Sequence, residues 1–167
     1  MVTGMRNEET KWLEISCLGS QFLVQIPEEI KEASDGRIKE KFPYQPKPQE
    51  VRMDEEGNRM ITFNLLENLL EEEQVLPAIR EVQRVINHKI PESIRTHARC
   101  MKLPAGMMGW FSFITGGLLD DVYHIMFLIP VSGKLMLGTC HFPAAIELQE
   151  KENFFTMVKN IQIVKKE

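Results

Sequence analysis

The sequence predicts an α+β fold, a mainly antiparallel twisted sheet packed by one long amphipathic helix and a shorter C-terminal helix. Three observations carry this. Tyr123–Phe142, YHIMFLIPVSGKLMLGTCHF, contains two apolar, β-prone runs joined across Pro-Val-Ser-Gly, the pattern of a buried hairpin near the centre of a sheet. Val75, Ile79, Val82 and Ile86 recur on one helical face. Phe154, Met157, Val158 and Ile161 form a second apolar stripe near the C terminus.

Trp12–Cys17 and Phe22–Ile26 flank Leu-Gly-Ser, and Phe22, Val24 and Ile26 alternate onto one face, which predicts an N-terminal hairpin. Pro27 ends the second run. The charged stretch Glu28–Lys41 holds a turn or short helix, followed by Phe42-Pro43-Tyr44 and the prolines Pro46 and Pro48, which favour an extended surface connection. Val51–Met53 and Arg59–Leu66 pair across the polar turn Asp54–Asn58, with Ile61, Phe63 and Leu65 on one strand face.

The long helix then takes over, with Leu76, Val85 and Ile90 broadening its stripe. Pro77 fits its first turn, while Asn68 followed by Glu71 resembles a capping box that would start it earlier. Acidic Glu71-Glu72-Glu73 suits the amino end and Arg84, His88 and Lys89 the carboxyl end of the helix dipole. Ile94–Met101 and Met108–Thr115 read as strands around Pro-Ala-Gly. The second presents large apolar groups on both faces, as a covered central strand does. Gly116-Gly117 permits a turn, and Tyr123–Ile129 and Leu135–Phe142 complete an antiparallel meander. Glu150–Asn160 forms the second helix, and Ile161–Val164 leaves it as a short strand.

The chain of 167 residues is long enough for one well-developed core, read as residues 12–167 behind a flexible segment 1–11. It is 43% hydrophobic and 26% charged, which argues against disorder. A formal charge of -4 and a pI near 5.7 provide no cationic field for a phosphate backbone, so nucleic acid is not an expected partner. Met1–Lys11 is polar where a secretory signal needs an apolar stretch, and no later run approaches a membrane span, so the expected location is cytoplasmic, without membrane association. Cys17, Cys100 and Cys140 lack paired spacing, and their odd number leaves at least one thiol unbridged; reduced structural cysteines are expected.

No catalytic apparatus is spelled out. Cys140 beside His141 is not a dyad, because adjacent strand residues point to opposite faces. Gly116-Gly117 lacks the lysine-serine or dinucleotide pattern of a phosphate cradle. If Val131-Ser132 forms the hairpin tip, His124 opposes Thr139 and His141 lies diagonally on the same face, with Cys140 opposite Tyr123. His124 and His141 therefore mark a candidate pocket for a small ligand. His88, His97 and Cys100 have no pattern that converges them on a metal, so neither metal nor cofactor is expected. Tyr44, Trp110 and Phe42 are candidate partner-binding aromatics, and Asp120 and Asp121 mark a loop near a groove.

The order of FLVQIP, MITFNLL, the long helix, the YHIMFLIPVSGKLMLGTCHF meander and ENFFTMVKNIQIV resembles the Mog1/PsbP-like fold over Trp12 to Val164. That resemblance implies a binding or accessory protein, since the group includes a nuclear-transport cofactor, a photosystem extrinsic subunit and secretion adaptors. It transfers no functional residue. The expectation is an accessory or adaptor protein holding a protein partner through an exposed groove or aromatic patch. A small-ligand binder or enzyme with a sheet-helix pocket, and a self-associating structural subunit, are the alternatives.

Overall fold

The computed structural model describes residues 10–44 and 47–164. The expected flexible segment 1–11 falls almost entirely outside them, as does Pro46. Strands β1 (Trp12–Cys17) and β2 (Phe22–Pro27) form the expected hairpin, followed by β3 (Lys31–Glu32), helix α1 (Asp35–Lys41), β4 (Glu50–Met53) and β5 (Met60–Leu69). Helix α2 (Val75–Lys89) precedes the meander β6 (Ile94–Leu103), β7 (Gly106–Thr115), β8 (Val122–Val131) and β9 (Lys134–Pro143). Helix α3 (Glu147–Lys159) and β10 (Gln162–Ile163) close the chain.

The strands divide into two sheets, of order β3-β4-β5-β9-β8-β7-β6 and β1-β2-β10, so the β8–β9 hairpin lies at the centre of the larger one. The small sheet was not separable in the sequence, because β10 is only two residues long and pairs with β2 across the whole chain. Its Phe22 ring meets Phe63 of β5 edge-on at 5.2 Å. With α3 it covers one face of the large sheet, where Phe127, Ile125, Met136 and Phe154 form the main core. Helix α2 covers part of the opposite face through Val75 and Ile79 against Phe111, Phe113 and Leu128. Gly109 lets it approach closely, since a Cβ there would meet the Ile79 side chain at 2.8 Å.

Local chemistry sets the ends. Asn68 belongs to β5, and the cap of α2 sits three residues later, where the Glu71 N–H donates to Gln74 Oε1 at 2.9 Å before a 3-10 turn at Glu72–Gln74. Ser34 Oγ accepts from the Arg37 N–H to start α1. Asp54 Oδ1 accepts from the N–H groups of Asn58 and Arg59 and closes the β4–β5 turn. Edge strand β6 is interrupted by register shifts, and Arg95 and Arg99 side chains donate to carbonyls of their own strand region, which blunts the edge against further pairing.

The hairpin register differs from the expected one. Ser132 and Gly133, at φ 52° and 77°, are the central turn residues, so His124 opposes His141, Cys140 opposes Ile125, and Tyr123 opposes Phe142. A two-residue turn of this type needs positive φ at both central positions, which β-branched Val131 resists and Ser-Gly accepts.

Candidate functional site

A continuous polar row crosses four strands on the face that carries α1 and α2. Thr62 of β5 shares a hydrogen bond with Thr139 of β9 at 2.5 Å, and Thr139 Oγ1 lies 2.9 Å from His141 Nε2. His141 Nδ1 faces His124 Nδ1 of β8 at 2.5 Å, and His124 Nε2 lies 2.8 Å from Thr115 Oγ1 of β7. The two imidazoles meet edge to face, with centroids 4.7 Å apart. His124 also stacks on Phe113 at 4.4 Å.

Strand register explains where this row lies. Met53, Met60, His141, His124 and Phe113 form one line across the sheet. Its methionine end packs with Ile38 and Phe42 beside α1, and its Phe113 end packs under α2. The half-buried histidines occupy the strip between the two apolar clusters. Burial lowers the pKa of His124 to about 4. Burial, then His124 and Lys41, lower that of His141 to about 3. Both rings are therefore neutral near pH 7. One Nδ1 donates across the pair, the other accepts, and each Nε2 exchanges a hydrogen bond with its threonine hydroxyl.

The sequence placed the two histidines on one face and missed their direct opposition, along with Thr62, Thr115 and Thr139. Ser132-Gly133 as the turn centre was the available signal. Cys140 points to the other face, toward a cavity of about 20 Å³ bordered by Arg59, Glu150 and Asn153, room for one water. There Arg59 bridges Glu29 and Glu150, each at 2.6 Å. Among the described residues, no group of three or more His, Cys, Asp or Glu side chains converges as a metal site.

The expected partner-binding residues separate. Trp110 is a correction: it is 8% exposed and packs on Phe154 and Phe155, because α3 covers its face of β7, so it cannot join an exposed aromatic patch. Phe42 is half-buried against the cluster of Ala33, Val51 and Met53. Tyr44 stands 83% exposed. Asp120 and Asp121 act as a brace. Asp120 Oδ2 accepts from the Ala145 N–H at 3.2 Å, Oδ1 accepts from the Asp121 N–H at 2.8 Å, and the Asp121 carbonyl accepts from Ala144 at 2.8 Å.

That brace ties the β7–β8 loop to the start of α3 and presents an apolar end that the sequence reading missed. Leu118 and Leu119 are fully exposed, and Ile146 and Leu148 are exposed on the segment the brace holds. Paired leucines between Gly116-Gly117 and Asp120-Asp121, in a loop where polar residues are expected, were the signal for it.

No family model matches the chain, and no curated protein matches it. Solved structures do. Cyanobacterial PsbP from Synechocystis is 9% identical, with a TM-score of 0.61 over 93% of this chain and 94% of its own. A Bacteroides thetaiotaomicron protein gives a TM-score of 0.58 at 9% identity, over 92% of this chain and 48% of its own. LpqN of Mycobacterium tuberculosis, described as involved in cell envelope biogenesis, gives 0.51 at 9% identity, over 99% and 97%. The chain has the Mog1/PsbP-like fold, as its element order suggested.

Proposed function

We propose that the protein is an accessory protein that holds a protein partner at the apolar end built from Leu118, Leu119, Ile146 and Leu148. The observation that carries this reading is the pair of fully exposed leucines on a loop held in place by the Asp120 and Asp121 hydrogen bonds. A loop with no role in contact gains nothing from two exposed aliphatic side chains on a braced backbone. Among the described residues no ion pair reaches Asp120 or Asp121, so the loop carries negative charge with no cationic side chain paired to it beside the leucines. The fitting occupant is an apolar segment flanked by lysine or arginine.

The test is photo-crosslinking in the native cell from position 119, with position 44 as the comparison. The expected product joins position 119 to a heterologous apolar-basic segment, and a synthetic peptide of that segment binds the wild-type protein but not Leu118→Ser/Leu119→Ser. Crosslinks to a second copy would replace this reading by self-association. Crosslinking from position 44 alone would move the surface to Tyr44.

A further inference from the structure

We infer that His124 and His141 form an open site for a divalent transition-metal ion, ligated through both Nδ1 atoms. The two Nδ1 atoms face each other from adjacent strands, 2.5 Å apart, with the rings at 83° to each other. Each outer nitrogen already has a fixed hydroxyl partner: His141 Nε2 has Thr139 at 2.9 Å and His124 Nε2 has Thr115 at 2.8 Å. This is the outer-shell arrangement that orients ligating histidines, with the far N–H held so that the near lone pair faces the metal. Thr62 supports Thr139 in turn.

In the empty pair, one proton sits between the two Nδ1 lone pairs. A cation takes that proton's place: the proton moves to Nε2 of the same ring, that ring's threonine hydroxyl turns to accept the new Nε2–H hydrogen bond, and no net proton leaves the imidazoles. Zinc–nitrogen bonds of about 2.0–2.1 Å at a tetrahedral angle require the Nδ1 atoms to be roughly 3.3 Å apart, an opening of less than about 1 Å. Since no third His, Cys, Asp or Glu converges among the described residues, water or an added ligand fills the other positions, giving an open site of modest affinity. Lys41 is the nearby charge that acts on His141, and it opposes the cation.

Zinc titration of the full-length protein by calorimetry at pH 7.5 tests this. One equivalent is expected to bind in the micromolar range. Binding is lost in His124→Gln and in His141→Gln, is weakened about 10–100-fold in Thr115→Val or Thr139→Val, and tightens in Lys41→Gln. His88→Gln and His97→Gln leave it unchanged. Nitrogen-15 NMR of the wild-type imidazoles needs no folded variant, and should show zinc-dependent shifts at Nδ1 of two rings. No zinc binding below millimolar concentration, coordination through Nε2, or binding that survives both His124→Gln and His141→Gln would overturn the assignment.

Discussion

The ring of Phe127 lies over the bare backbone of Gly138, its cross-strand partner at the centre of the large sheet. A Cβ at position 138 would collide with that ring, and Phe127 is fully buried between Phe63 and Phe154. Gly138→Ala should therefore destabilise the protein by about 1–3 kcal/mol through overpacking, although alanine in a strand is otherwise the better residue. Urea unfolding checks this. Phe127→Leu in the same chain should recover part of the loss, because it removes the colliding ring.

Acid should weaken the fold through the histidine pair before most carboxylates titrate. His124 and His141 have folded pKa values of about 4 and about 3, against 6.5 as the ordinary value. As pH falls below 6.5 the unfolded chain takes up protons that the folded pair refuses. The pair's contribution to stability is thus full above pH 6.5 and declines toward pH 4, at up to about 1.4 kcal/mol per pH unit for each proton of difference. Denaturation midpoints measured from pH 7.5 to 4.5 should fall, and the slope should flatten in His124→Gln/His141→Gln. An unchanged slope in that variant would remove the pair as the cause.

Arg59 clamps the β2–β3 connection and α3 to the start of β5. Its side chain is 14% exposed and that of Glu150 is 11% exposed. Burial raises the Glu150 pKa against the lowering effect of Arg59, so removing the guanidinium leaves a buried carboxylate without its partner. Arg59→Leu should cost about 3–5 kcal/mol. Adding Glu150→Gln should return a substantial part of it, a coupling that a double-mutant cycle reads directly.

The thiols should separate by reactivity. Burial pushes the Cys17 and Cys140 thiols far above the ordinary cysteine value, with Glu50 adding to the effect at Cys17 and Glu150 at Cys140. Cys100 is half-buried and raised less. Alkylation of the native protein at pH 8 should modify Cys100 slowly and leave Cys17 and Cys140 intact, whereas urea should expose all three. Rapid native modification of Cys140 would contradict its position in the core.

Periodicity and turn chemistry determined most of the architecture. The β8–β9 hairpin, the α2 stripe and the Phe154–Ile161 stripe are local patterns, and an apolar face must be buried wherever the chain goes. That logic extended to the side chains of Phe154, Met157 and Val158, all buried as their spacing implied. It failed where a decision depended on a partner distant in sequence. The second sheet depends on β10 reaching β2, and the turn at Ala144–Ile146 that leads into α3 is held by Asp120 from another loop. Trp110 is buried because α3 lands on it, and Leu118 and Leu119 are exposed because none of the described residues does. At the candidate site the sequence placed His124 and His141 on one face. Their Nδ1-to-Nδ1 meeting required the Ser132-Gly133 turn, which sets the register, and the hydroxyl row from Thr62 to Thr115 required two further strand pairings. Local pattern specifies which face of each element is apolar; only the tertiary pairing specifies what that face, and the polar groups beside it, will meet.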